Sequence, residues 1–313
     1  MINYKVSLTT KLKPPQTGLI AIEPEDYSTA EIAALKKSGA RVLAYLSIGS
    51  VSDERPYYEQ LKPYTLRKLD DWPHERYLDL RHPQVRDWIQ KRARDLKRMG
   101  FDGFWLDNLD VYEEYRSTDM FNAMTLTLHA IKALGGYVMV NGGMIYLTDM
   151  MIPHKVQIGA YREKANAKKI SAALKKCGIK STTIEMDGLY KVQCGAFSQQ
   201  AGADQLVGSL HVAGFPSAKR ITLFTGKPSA YLDGVTQEEV FSLITNYSGK
   251  GTFGKQETAE SERYQAHMRR VVKAGLQGFL LEYTTSNTLK LRIRAFCETA
   301  GMTGVCISAD VDL

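Results

Sequence analysis

The sequence predicts an α/β fold: a (β/α)8 TIM barrel interrupted after its fifth strand by a small α+β domain of ferredoxin-like topology. Three observations carry this. Short apolar runs alternate with amphipathic helical stretches over residues 19–141 and again after residue 231. Between these stretches one phrase occurs twice, Val156-Gln-Ile-Gly-Ala-Tyr161 and Val192-Gln-Cys-Gly-Ala-Phe197. Setting aside the duplicated segment, 154–222, leaves 244 residues with eight strand candidates, close to the roughly 250 residues of a single barrel.

In order, 19–24 reads as a strand ending in Glu23. Residues 28–37 read as a helix capped by Ser28 or Thr29 and stopped at Gly39. The clearest strand is 41–49, and a polar, aromatic stretch runs from it to Trp72. A third strand is expected at 76–81. Pro83 then opens a helix with Val85, Trp88, Ile89, Ala93 and Leu96 on one stripe. The fourth strand, 103–106, is apolar on both faces, as in a covered parallel sheet. It runs out into Asp107, Asn108 and Asp110. Polar groups at the C-terminal end of such a strand suit the catalytic rim of a barrel. Helix capping explains Asn108 or Asp110 equally well, and Asp107 less well because it still lies inside the apolar run. A helix over 120–134 and a strand over 137–141 complete the first half.

In the duplicated segment each phrase leads into a helical run, 166–176 and 200–212, and then a β-like run. Two such βαβ units packed antiparallel form a ferredoxin-like sheet with helices on one face. After it, strands are expected at 231–235, 278–283 and 303–308, with helices over 260–274 and 289–299.

Composition narrows the function classes. With 313 residues, 44% hydrophobic and 24% charged, the chain resembles a soluble globular protein. No apolar run reaches the about 18 residues of a membrane span, so membrane insertion is not expected. The N-terminus lacks the apolar core of a signal peptide, which leaves the export route open. Cys177, Cys194, Cys297 and Cys306 show neither CxxC spacing nor a matching histidine pattern; no metal and no cofactor are expected. The net charge of +7 is localised. Residues 154–222 hold 11 Lys and Arg against 4 Asp and Glu, and the rest of the chain carries 30 of each. A basic module meeting an acidic partner, joined to a neutral one, follows from this distribution. Nucleic acid is not expected as that partner, because the RNP1 pattern of an RNA-binding sheet is absent.

The phrases Ala44-Tyr-Leu-Ser-Ile-Gly49, Arg55-Pro-Tyr57-Tyr58, Gly100-Phe-Asp-Gly-Phe-Trp-Leu-Asp-Asn-Leu-Asp110, Asn141-Gly-Gly143, Asp233-Gly-Val235 with Glu238, and Glu282-Tyr283 resemble glycoside hydrolase family 114, the endo-α-1,4-polygalactosaminidases. The resemblance implies a barrel at 1–153 and 223–313 and a catalytic pair on Asp107, as nucleophile, and Glu238, as acid/base; on spacing alone Glu239 competes with Glu238. The duplicated phrase resembles the SPOR domain, a module that binds peptidoglycan glycan strands, and implies such a domain at 154–222. Two departures bear on substrate: Ser50 and Ser52 stand where the family usually has acids, and Glu23 where it tends to have Asp.

Glycoside cleavage needs two carboxyl groups flanking the bond, about 5–5.5 Å apart in retaining enzymes and roughly 6.5–9.5 Å in inverting ones. Endo-acting, retaining hydrolysis of an amino-sugar polysaccharide is the expected activity. Around the pair, Glu23, Asn108, Asp110, Asn141 and Glu282 are expected to hold sugar hydroxyls, and the acids are equally suited to structural ion pairs. Tyr45, Tyr112 and Tyr283 are expected to stack on sugar faces, with core packing as the ordinary alternative. In the duplicated segment, alternation sends Val156, Ile158, Ala160, Val192, Cys194 and Ala196 toward the helices. It sends Gln157, Tyr161, Gln193 and Phe197 to the open face, where an amide beside an aromatic suits a sugar. The expected partners are therefore a polysaccharide substrate and peptidoglycan strands, met at the cell wall or outside the cell. Two other readings fit the same residues: a silent barrel that only binds wall, and a phage or prophage lysin.

Overall fold

The computed structural model describes residues 4–141, 143, 145, 146, 149, 154–197, 199–222, 244–247, 278–281, 304–307 and 310–312. Its strands, in chain order, are β1 (Tyr4–Ser7), β2 (Gly18–Ile22), β3 (Ala40–Ser47), β4 (Ser50–Ser52), β5 (Thr65–Lys68), β6 (Glu75–Leu78), β7 (Gly103–Asp107), β8 (Tyr137–Asn141), β9 (His154–Tyr161), β10 (Thr182–Met186), β11 (Leu189–Phe197), β12 (Lys219–Thr222), β13 (Ile244–Tyr247), β14 (Gly278–Leu281), β15 (Gly304–Ile307) and β16 (Asp310–Asp312).

Nine of them form one parallel sheet in the order β15-β14-β13-β8-β7-β3-β2-β1-β16. Strand β15 pairs with β14 and β16 pairs with β1. The two ends of the sheet are thus strands separated by only two residues of chain. The central strands are apolar on both faces. Ile20, Ile22, Val42, Ala44, Leu46, Phe104 and Leu106 pack in the large core. That core also receives helix Pro83–Arg98 through Val85, Ile89, Ala93 and Leu96, spaced by three or four residues. The alternate residues Val6, Leu19, Ala21, Leu43 and Trp105 form a second cluster on the opposite face. Helix Thr29–Lys37 starts at a capping box, the Ser28 side chain and Glu31 satisfying each other's backbone N–H groups.

The expected strand at 76–81 is misplaced. Its ordered part, β6, pairs antiparallel with β4 and β5 in a separate three-stranded sheet. Consecutive residues Tyr77, Leu78, Asp79 and Leu80 are all buried, so the segment reads as a covered strand, and only its pairing with β4 and β5 sets it in the smaller sheet. Strand β1 joins the large sheet instead. Strands β14 and β15 fall where expected, β13 and β16 were not anticipated, and the elements expected at 231–235, 260–274 and 289–299 lie outside the described residues.

Residues 154–222 form their own four-stranded antiparallel sheet, order β10-β11-β9-β12. Helices Lys164–Lys176 and Gln200–Val212 pack on it around Val156, Ile158, Val192 and Cys194, the ferredoxin-like arrangement.

Candidate active site

The site begins with three neighbouring strand ends. Asp107 is the last residue of β7 and lies in register with Ser47, the last residue of β3. Ile22, the last residue of β2, is in register with Ala44, so Glu23 emerges beside the same rim. Asp107 shares its sheet face with Trp105, the face opposite the helices.

Two donors orient the Asp107 carboxylate. The Tyr45 hydroxyl donates to Oδ2 at 3.1 Å, and the Asn108 backbone N–H donates to Oδ1 at 2.8 Å. Tyr45 is held by its ring contact with Trp105, centroids 5.6 Å apart. Burial pushes the Tyr45 hydroxyl pKa well up, and the nearby charges of Asp107 and Glu75 push it further, so it remains a donor.

Asn108 takes the left-handed backbone conformation, φ +63°, a conformation that Asn tolerates better than most residues. Its amide donates to Ser47 Oγ at 3.0 Å, tying the turn to β3. Gly49 makes room for this turn, because a Cβ there would lie 1.7 Å from the Asn108 carbonyl oxygen.

The other acids at the rim differ in how they are compensated. Glu23 is buried and paired with Arg55 at 2.6 Å. Asp110 accepts from the Tyr77 hydroxyl at 3.1 Å, and burial raises its pKa above the ordinary carboxyl value. Glu75, to which sequence reasoning gave no role, accepts a hydrogen bond from the Ser50 hydroxyl. Antiparallel pairing of β4 with β6 brings these two together across 25 residues. A carboxylate therefore stands beside Ser50, contributed by another strand, and no local motif at Ser50 signals it.

Tyr112 is not a stacking surface. It is wholly buried, edge-on to Phe121 and Tyr146, and its hydroxyl donates to Asp149 at 2.7 Å. Asn141 ends β8, the next strand after β7 in the sheet; its side chain, and Glu238, Glu239, Glu282 and Tyr283, lie outside the described residues.

In the second sheet Gln157 and Gln193 face each other in register, away from the helices, and both are buried. Tyr161 and Phe197 do not share that face: they pack in the helix-side core. The register shifts on both sides of Gln193 explain the correction, because each extra residue of a bulge reverses the alternation beyond it. The face carrying the two glutamines is turned toward the first module. Met186 is buried in the large core, with Ile184 and Ala196 packed against it. Lys155 pairs with Asp149 at 3.0 Å, and Asp149 also accepts from Arg116 at 2.6 Å. A cavity of about 1360 Å³ lies alongside, lined by residues that include Arg116, Asp149, Lys155, Lys175 and Gln193.

Residues 2–152 match the model of glycoside-hydrolase family GH114, and residues 152–222 match that of the SPOR domain. The chain joins a GH114 module to a SPOR domain. The Asp107 rim lies in the GH114 module and the paired glutamines in the SPOR domain.

Among solved structures, Aspergillus fumigatus Ega3 in complex with galactosamine is 22% identical, over 48% of this chain and 63% of that one, with a TM-score of 0.44. This chain thus spans somewhat under two thirds of that protein. The glycoside hydrolase domain of Pseudomonas aeruginosa PelA is 17% identical over 85% of this chain and 90% of that one, TM-score 0.42. The peptidoglycan binding domain of the B. subtilis cell wall lytic enzyme CwlC is 46% identical over 22% of this chain and 85% of that one, TM-score 0.20. No curated protein matches the chain. Among the described residues no helix is long and apolar enough to cross a membrane.

Proposed function

We propose that this chain is an endo-acting, retaining glycoside hydrolase of the cell wall that cleaves an amino-sugar polysaccharide and is held near it by its SPOR domain. The observation that carries the reading is the Asp107 carboxylate, oriented by two donors at the C-terminal end of a parallel strand. In this reading β15 and β16 are two halves of one strand segment that closes the sheet into a barrel, residues 154–222 are an insertion between its fifth and sixth strands, and Glu238 is the second carboxyl group of the pair.

The chemistry follows from that placement. Asp107 attacks the anomeric carbon and forms a glycosyl ester while Glu238 protonates the departing glycosidic oxygen. Glu238, now a carboxylate, takes a proton from water, whose oxygen attacks the anomeric carbon and releases Asp107. Galactosamine, the sugar bound in the Ega3 structure, is the unit we assign to the substrate; a peptidoglycan-associated glycan is the other. Gln193, which lines the cavity together with Lys155 and Lys175, is assigned to the wall strand; Gln157 is buried on the face turned toward the first module. Engagement of both sites on connected polymers raises the local substrate concentration.

The test is turnover by the full chain on galactosaminoglycan and on stripped peptidoglycan strands, read as new reducing ends. Asp107→Asn is expected to lower it by at least about 10³-fold with an unchanged melting curve. Undiminished turnover removes Asp107 from its role. If the wild-type chain releases no reducing ends but binds sacculi, the silent wall-binding reading, motivated by Ser50 and Ser52, replaces this one.

A further inference from the structure

The two modules meet along a seam that is pinned at several points. The Asp187 carboxylate, in the turn between β10 and β11, accepts from the Thr118 N–H at 2.8 Å and from the Thr118 hydroxyl at 3.1 Å. It thereby satisfies an N–H in the first turn of helix Thr118–Lys132 of the GH114 module. Met186 beside it is buried in the large core, and Lys155 pairs with Asp149. The cavity of about 1360 Å³ lies in this seam, lined by Arg116 from the GH114 module and by Gln193, Lys175 and Lys180 from the SPOR domain.

Two side chains of that lining carry a buried N–H with no acceptor among the described residues, Arg116 at Nε and Gln193 at Nε2. Gln193 is only 8% exposed. Its cross-strand neighbour Gln157 has an unpaired Oε1, so the two amides do not satisfy each other. Arg116 gives its Nη2 to Asp149 at 2.6 Å, which leaves Nε for another acceptor. Buried donors are nearly always paired in folded proteins, so two exceptions in one cavity mark a place for acceptor atoms. Charge points the same way. Lys175 and Lys180 are exposed and form no ion pair among the described residues. Against them stands Glu185, since Asp149 is already taken up by Arg116 and Lys155. Among the described residues no aromatic side chain lines the cavity, so recognition there rests on charge and hydrogen bonds rather than on stacking. The basic excess of residues 154–222, for which a cationic amino-sugar substrate has no use, finds its role in this seam.

We infer that the seam binds a carboxylate-bearing glycan strand, and that Arg116 of the GH114 module completes the site by donating its Nε–H to the strand beside Gln193 and Lys175. This rests on the assignment of Gln193 to the wall strand and deepens it: the site belongs to both modules, and its ligand is an anion. Peptide-stripped strands meet that requirement, because removal of the peptides leaves their lactyl carboxylates free.

Binding is measured by calorimetry with the full chain carrying Asp107→Asn, so that turnover does not consume the ligand. The probes are stripped peptidoglycan strands, the same strands with their carboxylates converted to methylamides, and a glycerol-phosphate polymer. Stripped strands are expected to bind at least about tenfold more tightly than methylamidated ones, the usual size of a hydrogen bond to a charged group. The preference is expected to shrink as salt rises. Adding Arg116→Lys keeps a cation for Asp149 and removes the Nε–H; it is expected to cut the preference to about threefold or less with the melting curve unchanged. Lys175→Gln, an exposed position outside the Asp149 cluster, is expected to lower the preference as well. A purely structural role for Arg116 would instead weaken both kinds of strand alike. That result overturns the inference, as does an undiminished preference in either variant or tighter binding of the glycerol-phosphate polymer than of the strands. Gln193→Leu tells the two readings apart. If it abolishes binding while Arg116→Lys does not alter the preference, the wall-strand reading stands and the shared site falls; if the parent chain binds no stripped strand, both fall.

Discussion

Asp107 and Asp110 are three positions apart and meet opposite surroundings. Asp107 ends a strand and has two donors on its carboxylate, whereas Asp110, half-buried in the turn that follows, has the Tyr77 hydroxyl as its donor. Burial dominates at Asp110 and raises its pKa, while the Tyr77 hydrogen bond opposes the rise. An acid whose pKa is raised by folding favours the fold below its unfolded value and loses that contribution as pH rises through the folded value. Asp110→Asn keeps an acceptor for Tyr77 and cannot ionise. Stability at pH 7 is therefore expected to hold or rise, and its dependence on pH between 4 and 8 to flatten, measured by urea unfolding across that range. A loss of stability at pH 7 would show that the Asp110 charge is compensated after all.

At the scale of elements, the site depends on how closely β3 and the turn after β7 approach. Gly49 sits where a Cβ would overlap the Asn108 carbonyl, and the Ile48 N–H donates to the Asp107 carbonyl at 3.1 Å. The two chain segments cannot separate without breaking that bond. Gly49→Ala is expected to destabilise the protein by more than about 2 kcal/mol and to lower turnover, since the displaced turn carries Asp107. A thermal melt with an activity assay on the folded fraction checks both, and a normal melt with full activity would mean that the turn yields freely. The same scale explains where sequence reading failed. Strands β2, β3 and β7 are continuous apolar runs and are legible as buried parallel strands. Strand β6 reads equally as a strand of the large sheet, and only its antiparallel pairing with β4 and β5 places it. In the SPOR domain the repeated Gln-x-Gly phrase was visible, whereas the bulges that reverse Tyr161 and Phe197 are a property of strand pairing.

Across the whole molecule, one buried acid joins the two modules. Asp149 receives Tyr112 and Arg116 from the GH114 module and Lys155 from the SPOR domain. Burial alone would raise its pKa, but Lys155 and Arg116 outweigh it and hold the carboxyl below the ordinary value of 3.8. An acid with a lowered folded pKa stabilises above its unfolded value and loses that contribution as pH falls through the folded one. Contact between the modules is thus expected to be intact above about pH 4 and to weaken below it. Asp149→Ala leaves two cations and a hydroxyl without their acceptor and is expected to cost roughly 3–5 kcal/mol. Hydrogen exchange across residues 112–118 and 154–157 should rise in that variant, and unchanged protection there would refute the clamp.

By itself, the amino-acid sequence determined the two kinds of module, the order of most strands and the identity of Asp107 as the acid at a strand end, because these rest on local periodicity and on short phrases. Tertiary structure decided the rest. Glu75 reaches Ser50 through antiparallel pairing, Arg55 occupies Glu23, and Tyr112 turns inward to Asp149. Each of these joins residues far apart in the chain, and periodicity carries no information about which distant side chain will meet a given carboxylate.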